Sequence, residues 1–579
     1  MRNLLIMIAL TVLPSGLAAQ SVSFPDDVMK RGYFDRPYKR YEAEPQKCSS
    51  NGLFLSPTYT QTEIQSEASN NVAVQLRQKG EYVEWKNDEA ADGLTLRFSI
   101  PDDAEGRGRR GTISLLVNGK AVRSIDLDSR WAWQYALMSG QTYPDNIPGS
   151  NKFARMRFDE TRVKLAEKIP RGASFRLVKT DDNDLTYTID FVELEPVPAA
   201  ITFESIAGIN KIAYNGAEPL EKFVAANGGK VIYIPAGRYE VADRIVINEP
   251  NTSLIGAGMW HVELYFSAPP DNEKTYARRG IESRADNTHL QGLYITTANE
   301  RRYFVHNGRN GQVGKGLMGS FGKDSRISNL WIEHFECGGW IDGAENLTVE
   351  HCRFRNHYAD GINLSFGSRN SIVSHSSFRN NGDDDMASWS RGQEMCENIT
   401  YRYCTAENNW RASSLGFFGG RNHKALDILV IDPMEAALRV TTDFPGREFA
   451  AEGEILFSRI SVYKGGCIPG PLGFNGDIID GSTAGAIHIT SYLRYDLRNI
   501  RFCDIDLYDS KYDAIFIGCD NEKMIENLSL ENIRIRGAGR YGIYFHKAVG
   551  NTILRDIIYE RTKMGDMGTV PRWLKTVIE

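Results

Sequence analysis

The chain has 579 residues, of which 41% are hydrophobic and 25% charged, enough apolar material for a large core and too much for wholesale disorder. The formal charge is −6, and the first 20 residues carry only Arg2, so the chain without them stands at −7. That balance supplies no basic face for nucleic acid and, beyond local patches, no groove for a polyanion. At about 150 residues per domain, length alone suggests roughly four domains.

Residues 1–20 (MRNLLIMIALTVLPSGLAAQ) place Arg2 before an apolar stretch, Leu4 to Leu13, and a small-residue exit, Ser15 to Ala19. This is the pattern of a secretory signal peptide, too short to span a bilayer. No later run reaches about 18 apolar residues, so the expectation is a secreted protein, extracellular or periplasmic, with no membrane span. Export permits disulfides. The eight cysteines are sparse and include no CxxC pair, which predicts one or two bridges, otherwise buried thiols, and no zinc ribbon.

From Tyr38 to Pro196 the chain alternates in short segments such as Tyr82–Trp85, Leu94–Phe98, Ser114–Val117 and Tyr187–Val192, with an Asn118-Gly119 hairpin signal. The spacing predicts a β-sandwich over 38–196. Pro196 to Ala200 reads as a linker, and Pro219 to Asn227 as one short helix. Beyond it a pattern recurs: Asn, a strand, a few polar residues, a second strand, then Gly or Asn. Copies start at Asn329, Asn346, Asn370, Asn398, Asn499, Asn527 and Asn551. A variable period with constant strands is the mark of a solenoid, and Asn suits left-handed corners. The fold class predicted is all-β: an N-terminal β-sandwich followed by a right-handed parallel β-helix over 201–579.

The sharpest chemistry lies at Asp360-Gly361 and at Gly382-Asp383-Asp384-Asp385. Asp360 and Asp383 are 23 residues apart, close to one coil, which would stack them about 4.8 Å apart on neighbouring rungs, with Asp384 reaching the same cleft after a kink at Gly382. Carboxylates so gathered cannot all ionise, and one acid beside one base is what glycoside hydrolysis needs. A solvated turn or a calcium site are the plainer readings of such a run. Aromatic residues nearby favour a sugar-binding cleft, with Trp389, Trp410 and Phe418 as candidates and Asn363 and Arg411 as polar partners.

At these residues, ADGIN at 359–363 and RNNGDDDMASWS at 379–390, the sequence resembles the active-site signature of glycoside hydrolase family 87, the α-1,3-glucanases or mycodextranases. Asn408 to Arg411 and Phe418 to Asn422 are similar to that family's following coils. The resemblance implies that Asp360, Asp383 and Asp384 are catalytic and that configuration inverts, with the acid and base about 6.5–9.5 Å apart. Asp383 is expected as the acid, and Asp360 and Asp384 as the pair that positions and activates water. Asp385 departs from the pattern. YEAE at 41–44, GEYVEW at 80–85 and TIDFVELE at 188–195 resemble carbohydrate-binding modules of families 6 and 35, which implies a structural calcium on Glu42, Glu44 and Asp190. No cofactor is expected for catalysis, and the partner is an α-glucan bound by a monomer. The alternatives are a polygalacturonase-like hydrolase, whose His and Arg-Ile-Lys steps are missing here, a β-helix lyase using Arg391, Arg411 or Arg421, and a non-catalytic glycan-binding solenoid.

Overall fold

The structure, a computed structural model, describes residues 31–32, 36–135, 148, 154–267, 278–298, 304–306, 309–311, 314–442, 446–468, 485–492, 494–520 and 523–579. The signal-peptide expectation lies outside these residues. Strands between Lys39 and Glu195 form two antiparallel sheets of six and five strands. Val74, Leu96 and Ile189 from the first share one core with Val83, Leu115 and Phe175 from the second. The hairpin between Arg110–Val117 and Lys120–Asp128 turns on Asn118 and Gly119, both at positive φ (47° and 78°), as the Asn-Gly signal requires.

From Lys211 onward the strands run parallel in sheets of 19 and 12 strands, apart from the antiparallel pair Phe304–His306 and Arg309–Gly311, and among the described residues the one α-helix is Leu220–Ala226. Around the acidic cluster each coil has three strands. One coil comprises Thr348–Glu350, Arg353–Arg355 and Ile362–Ser365; the next, Ile372–Ser374, Ser377–Arg379 and Met386–Trp389. Ile362, Met386 and Leu415 stack in register in the apolar interior, where Phe354 lies flat on Phe378 (4.9 Å, 2°). The corners are left-handed, with φ of 47–58° at Asn346, His351 and Asn356 and at Asn370, His375 and Asn380 one coil on. Asn398 Nδ2 donates to Asn370 Oδ1 at 2.8 Å, so the corner amides form a ladder.

Two expectations are corrected. Asn329 is not in column with Asn346: Trp331 pairs with Arg353, which sets Asn329 beside His351 at a second corner. Both corners need the same backbone conformation, so Asn marks either of them. None of the eight cysteines is joined in a disulfide: Cys48 lies in the sandwich and the other seven are spread along the coils. Among the described residues no helix is long and apolar enough to cross a membrane.

The sandwich is joined to the coils by buried ion pairs. Arg379 bonds Glu193 at 2.8 and 2.9 Å, pairs with Glu160, and reaches Glu407 at 3.1 Å. Arg353 meets Glu195 at 2.7 Å, and His334 meets Asp159 at 3.0 Å.

Candidate active site

Asp360 precedes the strand Ile362–Ser365, and Asp383 and Asp384 precede Met386–Trp389 on the next coil. Because Ile362 pairs with Met386, the coil here is 24 residues long, and Asp384, not Asp383, is in register with Asp360. Gly361 N donates to Asp384 O at 3.0 Å across this step. Oxygens of all three side chains lie within 4.8 Å of one another. This is tighter than the separation expected for inversion.

The three carboxyls differ in surroundings. Asp360 is buried, which pushes it up to about 7; repulsion from Asp383 adds to this, while Lys315 and a 3.3 Å bond from Asn363 Nδ2 oppose it. Cys337 Sγ lies 3.6 Å from its Oδ2. Asp384 is raised well above the usual carboxylate range by burial and then by Asp383 and Asp360, against Arg439 and the Ser413 hydroxyl that donates to it. Asp383 retains 34% of its side-chain surface, and Arg411 Nη2 donates to its Oδ2 at 2.6 Å. Its backbone carbonyl accepts from Asn409 Nδ2 at 2.5 Å.

Asp385 turns away from this group. It is fully buried and raised well above the carboxylate range by that burial, and it accepts from Asn381 Nδ2 at 2.7 Å. The extra carboxyl is therefore a prop beneath the turn rather than a fourth member of the cluster.

Of the aromatic candidates, Trp389 is half-buried and meets Trp340 edge-on at 6.2 Å, and Arg391 lies over both rings. Asn363 touches Asp360, and Phe418 leans over Gly416, where a Cβ would meet its ring at 2.6 Å. Trp410 is corrected: it is fully buried with Met156, Tyr358 and Met434, so no sugar ring reaches it. It instead explains Gly382, where a Cβ would come within 1.8 Å of the indole. That glycine is required by close approach, not by a kink at positive φ. Sequence reasoning missed Ser413, Lys315, Cys337 and Arg439. Ser413 is one register step beyond Asp384, and counting from the Met386–Leu415 pairing would have found it.

In the sandwich, Glu42 Oε1 accepts from Ser69 Oγ at 3.0 Å and Glu44 Oε1 from Asn70 Nδ2 at 2.7 Å. Asp190 pairs with Arg97 and accepts from Ser69 N at 3.0 Å. Among the described residues these three carboxyls do not converge as Asp360, Asp383 and Asp384 do. Glu42 Oε2 and Asn71 Oδ1 are nonetheless buried with no hydrogen-bond partner.

Residues 35–197 match the family model described as α-1,3-glucanase catalytic domain D1, and residues 213–553 the one described as catalytic domain D2. Where the sequence suggested a carbohydrate-binding module, the matching model thus describes part of a catalytic unit. Among solved structures, the Agl-KA catalytic domain is 29% identical with a TM-score of 0.83, over 95% of this chain and 99% of that one. A family 87 α-1,3-glucanase catalytic domain in complex with nigerose is 21% identical (TM-score 0.81), with the same coverage. The thermostable family 87 α-1,3-glucanase catalytic unit from Streptomyces thermodiastaticus strain HF3-3 is 22% identical (TM-score 0.75), over 95% and 96%. No curated protein sequence matches. With both catalytic-domain models matched over most of its length, this chain belongs to the α-1,3-glucanase family and is a glycoside hydrolase acting on α-1,3-glucan.

Proposed function

We propose that Asp383 is the general acid and that Asp360 and Asp384 jointly hold and deprotonate the attacking water, cleaving the α-1,3 bond with inversion. The observation that carries this reading is the division of the cluster: Asp383 alone stays open, while Asp360 and Asp384 are buried one above the other. Arg411 occupies Asp383 Oδ2, which leaves Oδ1 to carry the proton for the glycosidic oxygen. That proton transfers as the C–O bond breaks, the water oxygen bonds to the anomeric carbon, and the water's proton passes to the Asp360–Asp384 pair. Burial and the neighbouring carboxyls raise Asp360, to about 7, and Asp384, so a proton is retained in the cluster at neutral pH. Family 87 structures carry single aspartate-to-alanine changes at three positions spaced 23 and 1 residues apart, the spacing of Asp360, Asp383 and Asp384. Some of these hold nigerose or tetrasaccharides. Here the glucan would pass over Asn363 and along the paired Trp389 and Phe418.

A second reading follows from the 4.8 Å grouping, which is nearer the spacing of about 5–5.5 Å in retaining enzymes than that of inverting ones. In it Asp360 or Asp384 is a nucleophile. NMR of the first product decides: a β-anomer supports inversion, and an α-anomer overturns it. Asp360→Asn, Asp383→Asn and Asp384→Asn should each lower turnover by about 10²–10⁴-fold with the fold intact by circular dichroism. Full activity in any one removes that residue from the mechanism.

We further propose a structural calcium at the Glu42–Glu44–Asp190 corner, supported by the orphaned Glu42 and Asn71 oxygens. Burial pushes Glu42 up to about 8; Arg40 opposes this and Asp190 and Glu44 add to it, so a cation there would relieve repulsion. A chelator should lower the melting temperature, and no shift would remove the site. Export is proposed from residues 1–20, and N-terminal sequencing of the mature protein tests it.

A further inference from the structure

The catalytic turn is held from below by a residue of the other sheet system. Arg155 lies in the segment just before the strand Asp159–Ile169 of the sandwich, paired through its backbone with Gln134. Its guanidinium crosses to the coils: Nη1 donates to Trp410 O at 2.8 Å and to Glu435 Oε1 at 2.9 Å, while Nη2 meets Gln61 Oε1. Arg155 and Glu435 are both buried, each 1% exposed. Trp410 packs on Gly382, and the next residue, Arg411, bonds Gly382 O and Asp383 Oδ2.

Glu435 is the critical neighbour. Burial raises its carboxyl, and Arg155, through one direct bond and its charge, and then Arg411, through its charge, oppose this. Arg411, bonded to Asp383, thus also acts on Glu435 through its charge. We propose that Arg155 is a positioning residue: by neutralising Glu435 from the sandwich side, it leaves Arg411 to Asp383 and so fixes the general acid. Without Arg155, Glu435 would lose its bonded cation, and Arg411 is the other guanidinium whose charge acts on it. The sandwich thereby completes the catalytic site instead of merely adjoining it. Met156, the following residue, adds an apolar contact to Trp410 at the same place.

The inference rests on the reading of Asp383 as the acid. The charged groups facing the cluster are Lys315 beside Asp360, Arg439 beside Asp384 and Arg411 on Asp383, so Arg411 is the cation whose loss bears on the acid directly. A carboxylic acid that loses a cationic partner holds its proton to higher pH.

The test compares R155M, E435Q and R155M/E435Q in the full chain, by kcat, KM and the pH profile on α-1,3-glucan. R155M should lose about a hundredfold in kcat with KM changed by less than about threefold, and its alkaline limb should move up by about one pH unit. In R155M/E435Q the competing charge is gone, so kcat and the alkaline limb should return to within about threefold and a few tenths of a unit of wild type. Removing one partner of a buried pair costs about 3–5 kcal/mol, so should R155M not fold, R155Q, which keeps a donor for Trp410 O, takes its place. A limb unmoved in the single variant, or equal losses in the single and double variants, would overturn the proposal. Asp383→Asn separates the two readings: activity in that variant sinks the acid assignment, whereas an inactive Asp383→Asn beside an R155M of wild-type kinetics sinks only the role of Arg155.

Discussion

Two acidic clusters meet the same coils, one shared with the sandwich and one in the cleft, and they are built in opposite ways. On the wall facing the sandwich, Glu160, Glu193 and Glu407 surround Arg379, with Arg40 joining Glu193 and Glu407 at 2.7 and 2.8 Å. A few residues further round the coil, Asp360, Asp383 and Asp384 face one another, and Asp383 is the one directly paired with an arginine among the described residues. Burial raises proton affinity at both places, but its outcome is set by the cations. Glu193 is brought down to about 2 because Arg379 and Arg40 outweigh its burial, and Glu407 is lowered by Arg40, Arg36 and Arg379. Asp360 and Asp384 are pushed up by burial, which their like-charged neighbours reinforce and which Lys315 and Arg439 do not outweigh. The same residue types thus make a permanent clamp where arginines intervene and a proton-exchanging group where they do not.

The largest expected effect comes from breaking the clamp. Arg379→Met leaves three buried carboxylates without their shared guanidinium, and unfolding by denaturant should show a loss of about 3–5 kcal/mol. For Glu193, a folded-state value below the unfolded one means that its stabilisation is present above the unfolded value and is lost as pH falls towards 2. The penalty of Arg379→Met should therefore shrink in acid. A penalty that did not vary with pH would show that packing, not charge, holds the sandwich to the coils.

A second experiment sharpens the cleft side of the comparison. In Gly382→Ala the new Cβ would fall 1.8 Å from the Trp410 ring, so either the ring or the Asp383–Asp384 turn must move. Overpacking of this kind costs about 1–3 kcal/mol, and displacement of the turn should cost about a hundredfold in kcat. Unchanged kcat would mean that Trp410 yields and the turn does not depend on it.

These two positions also show what could be read from the sequence. Repeats starting with Asn disclosed the coils because left-handed corners recur at a fixed place in each one. The Asp-Gly and Gly-Asp-Asp segments disclosed the cleft because three carboxyls close to one coil apart have few other uses. Trp410 was misjudged because an aromatic residue beside a catalytic turn looks the same in one dimension whether it faces sugar or core. The arrangement of Arg379, Glu160 and Glu193 was invisible, since 219 and 186 residues separate the partners and no periodicity links sandwich to coil. Register was the other blind spot: the 24-residue step that puts Asp384 above Asp360 exceeds the Asp360–Asp383 spacing by one residue, and a one-residue slip changes which side chain aligns.

Asp360→Asn separates the two clusters by sign. A carboxyl whose folded value lies above its unfolded one stabilises the fold when protonated, and that contribution fades as pH rises through the folded value, here about 7. Asn is neutral throughout, so the variant should be less active yet more stable than wild type above pH 7, by on the order of 2 kcal/mol, with the advantage vanishing below about pH 4. Melting temperatures at pH 4 and pH 8.5 measure it. A variant less stable than wild type at pH 8.5 would place Asp360 with the clamp rather than with the exchanging group.

The smallest effect concerns the corners that carry both clusters. Asn398 sits at φ 53°, largely exposed, and its amide donates to Asn370. Two terms are mixed there, backbone strain and the ladder bond, and two substitutions part them. Asn398→Ala loses both and should cost about 1–2 kcal/mol, mostly from a left-handed residue with a Cβ. Asn398→Gly loses the bond but accepts the backbone, and should cost about 0.5–1 kcal/mol. Neither should alter kcat, because Asp384 precedes the strand Met386–Trp389 and the corner lies beyond that strand's other end. Equal costs for Ala and Gly would mean that the ladder bond, not the backbone, is what Asn supplies, and would extend the lesson of the two clusters to the corners: partners, rather than conformation, would then decide which residue each position keeps.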